Sequence, residues 1–443
     1  MDDEARQVSW IDSTRLQLHL SIPAFLLGLV APNRFFLWLF VKCGAGERSA
    51  RFLRNLRDKY ACDHLWVWFP LRKTLIVMAP AAIDAVLSSE ENAPDPMLKK
   101  RALSRFVPDG LIVSRNPEAQ ERRRFNTRAL DLGRPHRHRE AFVTIALAEA
   151  ASLTAGRPSE LRWADFRSLG QRISHQVILG IGQSEPELAK HLARMVAYSN
   201  WMIRYVPGFS AFYARMDQLL ARKGTASSVR CLMHDAAAAL TDGSATASAK
   251  VPAQIGFWFF VLKDAIELHV ARTLALIAAH PQVQARVRQE VKAAAPLTAN
   301  SIDGLRYLEA CIAEQLRLWT PVPLLLRRAE NDFLLGAGVP VEAEQQLLIH
   351  AGVYHRDPRI FGDLADTFAP DTAGAPGFPK VYFFSDHGRG CAGRSLVMFV
   401  LKATLAPLLG GSRFELAGPA IQPGRIAYLY DHFAIDLKPL HDA

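Results

Sequence analysis

The 443-residue sequence holds only five cysteines, Cys43, Cys62, Cys231, Cys311 and Cys391, which are far apart, odd in number and without a C-x-x-C pair. A disulfide framework is therefore not expected, and free thiols point to a reducing, cytoplasmic compartment. Long hydrophobic runs are missing as well. Residues 22–31 and 35–41 are apolar, but Pro32, Asn33 and Arg34 part them, and neither reaches the ~20 residues that cross a bilayer. No transmembrane anchor is expected, and shallow contact with a membrane surface stays open. The opening Met-Asp-Asp-Glu is acidic where a secretory signal is basic, which argues against a signal peptide. No linker rich in proline, serine and glycine divides the chain. The small-residue stretch 241–249 and the Gly/Pro-rich stretch 370–379 read as surface loops, so a single domain is favoured. A net charge of +10 would suit nucleic acid, anionic lipid or an acidic protein. Zinc-finger spacing, a G-x-x-x-x-G-K-[ST] loop and aromatic-basic RNA-binding strands are all absent, which argues against nucleic acid.

Half of the residues are hydrophobic, enough for a large core. Apolar residues recur at three- and four-residue steps through 141–155, 185–202, 254–279, 283–295 and 307–318, which predicts helices. Strand-like segments are fewer: 65–69, 74–78, 333–335, 346–350, and a hairpin over 425–430 and 433–437. The expected fold is mainly α with small β-sheets near both ends.

The most informative segment is Phe383-Phe384-Ser385-Asp386-His387-Gly388-Arg389-Gly390-Cys391-Ala392-Gly393-Arg394, followed by an amphipathic run over 395–405. Glycines let the backbone turn tightly and bring N–H groups near a sulfur, and the positive end of a following helix is expected to lower the cysteine pKa. By itself this also describes a buried free cysteine in a glycine-rich turn. The order Phe384, Arg389, Cys391, Gly393 resembles the F-x-x-G-x-R-x-C-x-G loop of the cytochrome P450 superfamily, with His387 in place of the first glycine and Gly388 available to take over the turn.

That resemblance implies heme b (iron protoporphyrin IX) with Cys391 as metal ligand and Phe384, Arg389 and Gly393 around the cofactor. It extends to other segments. Glu314-Gln315-Leu316-Arg317 resembles the family's E-x-x-R helix, and its apolar neighbours on both sides suit a buried structural ion pair. Pro321 to Arg327 resembles the stretch that runs past the heme, which implies Arg327 on a propionate and Val322 and Leu324 in the substrate pocket. Gln120 to Arg124 resembles the helix that serves the other propionate through Arg124. Thr372 stands where an arginine usually joins the E-x-x-R network, so that network must close differently. The implied fold is a single triangular domain over 46–443, preceded by a lead-in segment 1–45.

Residues 254–279, ending at His280-Pro281, resemble the long helix that crosses the oxygen-binding face. Counting back from that end places Val261-Leu262-Lys263-Asp264-Ala265 where A-G-x-[DE]-T usually stands. The acid is kept and the hydroxyl is lost, which implies catalytic positions at Asp264 and Ala265 with atypical oxygen activation. Helical spacing sets Phe257, Phe260 and Val261 on the same stripe, a pocket lining for a lipophilic small molecule. The first reading is an oxidoreductase, monooxygenase-like, that takes electrons from an acidic ferredoxin or similar redox partner docked on Arg122, Arg123, Arg128, Arg134, Arg137 and Arg139. The alternatives are a peroxide-using oxygenase or a heme-thiolate isomerase or dehydratase without external electrons. A noncatalytic heme or ligand-binding protein and a basic interaction protein without cofactor complete the range.

Overall fold

The computed structural model describes residues 5–69, 72–89, 92–94, 99–156, 158–203, 206–225, 230–335, 338–385, 387 and 390–441. Its spine is the long helix Val251–Ala278, apolar on nearly every side and covered accordingly. The helix Trp163–Leu179 runs against it with the most extensive contact in the molecule. Gly170 permits this approach, because a Cβ there would lie 2.9 Å from the Cβ and backbone N of Glu267. The helices Arg306–Leu318 and Arg394–Gly411 pack against the same spine, and Arg139–Thr154 packs outside it, on Arg394–Gly411 and Trp163–Leu179. One hydrophobic cluster joins them, including Phe166, Ile173, Ile266, Val270, Ile312 and Leu401.

The sheets lie at the margins. Six strands, β1 (Arg6–Gln7), β2 (His64–Trp68), β3 (Lys73–Val77), β4 (Asn92–Pro94), β6 (Leu324–Ala329) and β9 (Gln346–His350), pair in the order β1-β2-β3-β9-β6-β4. β5 (Leu161–Arg162), β10 (Ser412–Gly418) and β11 (Asp436–His441) form an antiparallel sheet in the order β10-β11-β5, and β7 (Phe333–Leu335) pairs with β8 (Val339–Val341). The N-terminal segment is built into the fold: β1 adds to β2, and Val8, Leu16 and Leu20 share a cluster with Leu53 and Leu65.

The hairpin expected over 425–437 does not form. Arg356 donates to the carbonyls of Ile426 and Ala427, Trp319 Nε1 donates to Ala427 O at 2.9 Å, and Ile426 N–H donates to Asp366 O at 2.7 Å. Backbone groups held this way are lost to a ladder. Only β11 remains as strand, paired with β10 and β5.

One helix among the described residues, Arg394–Gly411, is long and apolar enough to cross a membrane by length and composition. Here it is a core element, with Leu401, Leu405 and Leu409 fully covered.

Candidate functional site

The chain reaches Cys391 through a closed turn. Cys391 N–H donates to Phe384 O at 2.8 Å and Gly390 N–H to His387 O at 2.9 Å, and the helix Arg394–Gly411 starts just beyond. Ser385 and His387 adopt left-handed backbone, φ 57° and 59°. His387 thus takes the conformation for which glycine is the default. It supplies a left-handed turn residue at the position of the family's first glycine. His387 Nε2 lies 2.9 Å from Asp84 Oδ1, and Lys380 Nζ holds the same oxygen at 2.5 Å, which anchors the strained residue. Gly388 and Arg389 lie outside the described residues.

Cys391 is only partly exposed, and its thiol is surrounded by protein. Burial pushes the thiol up, against the Gly393 N–H and the charges of Arg123 and Arg394. The expected lowering by the following helix is therefore overturned: desolvation outweighs the favourable dipoles. A bound metal would deprotonate the sulfur outright. At Gly393 a Cβ would meet only Leu130 Cδ1, at 3.8 Å.

Two arginines reach the loop from different elements. Arg327, buried on β6, donates from Nη2 to Ser385 Oγ at 2.5 Å. Arg123, on the helix Glu118–Ala129, donates from Nη1 to Gly390 O at 2.5 Å. Arg124 points elsewhere, exposed and paired with Glu121. Successive helix residues differ by ~100° in direction, so a shift of one position decides which guanidinium faces the cysteine. Arg123 was missed because its neighbour fits the family spacing.

The other arginines of that stretch are largely engaged. Arg122 pairs with Asp109 at 2.8 Å, Arg134 and Arg137 share the buried Asp131, and Arg139 meets Asp303 at 2.7 Å. A docking strip made of all six is reduced to Arg128 and the exposed parts of Arg134 and Arg137.

Glu314 and Arg317 form a bidentate pair at 2.7 and 2.8 Å, each about 1 % exposed. Arg317 also donates to the carbonyls of His355, Leu364, Ala365 and Thr367 at 2.9 to 3.2 Å. The Glu314 carboxylate takes its third hydrogen bond from Ala369 N–H at 3.2 Å. Backbone thus closes the network where Thr372 replaces an arginine, while Thr372 Oγ1 caps Ala369 O at 2.9 Å.

On the long helix, Phe260 is buried, and Phe257, Val261 and Ala265 are partly buried in the cluster that also holds Phe384 and Ala392. The stripe and the cysteine loop therefore belong to one apolar region. Phe260 meets Phe106 edge to face at 5.4 Å. Asp264 is partly exposed, with Lys263 Nζ 3.5 Å from its carboxylate and 2.7 Å from Glu267. Glu267 is raised by burial, against Lys263. Val322 and Leu324 pack into the two sheet clusters, apart from this stripe. The five residues expected to line one pocket are thus divided between the helical core and the sheet, because β6 takes Leu324 into register with His350.

A mainly helical fold, a cysteine in a tight turn ahead of a core helix and a buried E-x-x-R pair define a heme-thiolate class of protein. Residues 269–423 match the family model for cytochrome P450. The chain is 34% identical over 168 residues to cytochrome P450 714C2 of Oryza sativa subsp. japonica, covering 36% of this chain and 32% of that protein. It is 28% identical over 185 residues to cytochrome P450 4c3 of Drosophila melanogaster, 39% and 34% of the two chains. It is 33% identical over 142 residues to isoflavone 2'-hydroxylase of Medicago truncatula, 31% and 28% of the two chains. The matched segments span about a third of the length of these relatives. Over this C-terminal part the chain is similar to the cytochrome P450 superfamily.

The family match implies a heme cofactor, and the donor set fits one: a partly exposed cysteine, an N–H on its sulfur, and guanidiniums from two elements beside the same loop. Arg123→Gln should weaken heme retention by ~10–100-fold, the cost of losing a partner that orients a metal ligand. Arg124→Gln, at an exposed pair, should change stability by less than about 0.5 kcal/mol and leave heme content alone. Heme titration of both apoproteins distinguishes the two, and equal losses would return Arg124 to the site.

Proposed function

We propose that this protein is a heme-thiolate oxidoreductase, monooxygenase-like, acting on a lipophilic small-molecule metabolite, with heme b held through Cys391. The observation that carries the reading is the Cys391 turn, held by Arg123 and Arg327 and joined through Phe384 and Ala392 to the apolar cluster of Phe257, Phe260 and Val261. When bound, the heme would supply the redox chemistry by which dioxygen or peroxide reacts with a substrate carbon. The chain's residues do the rest. Cys391 would anchor the group, Phe384 and Gly393 would flank it, and Arg123 and Arg327 would face its carboxylates; Arg389, expected beside them, lies outside the described residues. The phenylalanines exclude water and favour a large apolar substrate.

Asp264 can hold a proton at its carboxylate, in contact with the Lys263 ammonium. Ala265 has no hydroxyl to pass that proton on, which favours the second reading, a peroxide-using oxygenase or an isomerase or dehydratase without external electrons. Electrons for the first reading would come from an acidic ferredoxin or similar protein, attracted by the net charge of +10. Peripheral membrane contact is supported by exposed Trp10, Leu18, Phe35 and Trp38, and by exposed Trp201, whose ring meets Phe25 at 5.8 Å.

The test is turnover. NADPH consumed through a ferredoxin and its reductase, matched by oxygenated product, supports the first reading; product from peroxide alone supports the second. Ala265→Thr should raise the share of electrons recovered in product. A tenfold gain corresponds to only about 1.4 kcal/mol of barrier, within reach of one placed hydroxyl. No response to Ala265→Thr or Asp264→Asn in coupling or turnover would remove both residues from the reaction.

A further inference from the structure

Beyond the site, the long helix carries a positive charge that no acid among the described residues neutralises. The Arg272 guanidinium is enclosed by protein, 5.7 Å over the Trp319 ring, with Nη2 3.2 Å from His432 Nδ1. No carboxylate among the described residues forms an ion pair with it. Asp431, next to His432 in sequence, accepts from Phe433 N–H at 3.2 Å, and the Tyr430 hydroxyl donates to Pro419 O at 3.1 Å. Burial pulls Arg272 down to about 10, so it stays cationic at neutral pH. An indole face and a neutral imidazole replace only part of the water a guanidinium gives up.

The neighbouring polar atoms share one deficit. Arg272 Nε, Thr273 Oγ1 and Gln315 Nε2 are buried without a hydrogen-bond partner. Gln315 Oε1 already faces His269 Nδ1 at 2.8 Å, one turn before Arg272 on the same helix. Arg272 Nε and Gln315 Nε2 can only donate, and the Thr273 hydroxyl can do so. His269 and His432 are both held neutral by burial, so neither opposes an anion and each still carries an N–H. Arg272 itself keeps some accessible surface. A water molecule would satisfy one or two of these donors and would leave the charge uncompensated.

We propose that a halide-sized inorganic anion binds beside Arg272, as a structural counter-ion where the long helix, the helix Arg306–Leu318 and the turn His432–Ala434 meet. The arrangement has donors from two helices, one fixed positive charge and no competing carboxylate, and it stands apart from the cysteine loop.

The probe is sodium bromide, compared with sodium gluconate at equal ionic strength on the protein as purified. Bromide should raise the melting temperature saturably, on the order of 2–4 °C, and give an anomalous-scattering peak beside Arg272 in crystals. Arg272→Met should lose the response. Gln315→Glu, which supplies the counter-charge covalently, should fold and lose it too, so the idea remains testable if Arg272→Met does not fold. Identical melting in the two salts, no bromide peak beside Arg272, or a full bromide response in Gln315→Glu would overturn the proposal.

Discussion

Cys391→Ala protein, reduced under carbon monoxide, should lack the long-wavelength band of thiolate-ligated heme and should purify with little cofactor. Loss of the ligand itself should exceed the ~10–100-fold cost of losing an outer partner. The other thiols cannot replace it. Cys62, Cys231 and Cys311 are buried in packed core, and burial pushes the Cys311 thiol well up with no cation offsetting it beyond Arg286. Cys43 is exposed on the far side of the sequence, beside Arg48. Only Cys391 combines enclosure, accessible surface, a backbone donor on sulfur and two guanidiniums. Cys391→Ser separates ligation from packing, since it keeps the volume and offers a poor ligand; it should retain more heme than alanine while still losing the band. A normal band in Cys391→Ala would sink the assignment of the sulfur, whatever the fold.

How much of this could be read in advance depends on the range of the interaction. Strands near 65–69, 74–78, 333–335 and 346–350 were legible because short alternating runs persist as β2, β3, β7 and β9. The long helix was legible because its apolar periodicity runs uninterrupted to His280-Pro281. The failed hairpin at 425–437 had an equally good local pattern, but Arg356 and Trp319 claim its backbone from about 70 and 108 residues away. Asp84, which anchors His387 across 303 residues, gave no local signal at all. The choice of Arg123 over Arg124 turns on helix phase, which spacing fixes only when a neighbouring residue is already placed. The raised Cys391 thiol reflects desolvation, a property of the whole surrounding core, where glycines and a helix start pointed the other way.

Replacing Arg317 by lysine should be among the most damaging conservative changes available in this chain. Arg317 is about 1 % exposed, and its planar fork spans both Glu314 oxygens and four backbone carbonyls. An ammonium has three donors around one point, so it cannot reach both sides of that set. The loss falls on two segments at once, because His355 belongs to the turn after β9, and Leu364, Ala365 and Thr367 lie on the stretch leading toward the cysteine loop. Those carbonyls have little access to water, and an acceptor left unpaired there costs its full desolvation. Breaking a buried pair of this kind costs about 3–5 kcal/mol, against a total stability of roughly 5–15 kcal/mol. Arg317→Lys should therefore lower the melting temperature by roughly 5–10 °C and reduce soluble yield, with heme lost as the loop detaches. Glu314→Gln should be milder, since an amide oxygen can still accept from Ala369 N–H and Arg317 keeps its four carbonyls. A ranking with Glu314→Gln the worse of the two would show that charge neutralisation, and not the backbone clamp, is what Arg317 contributes.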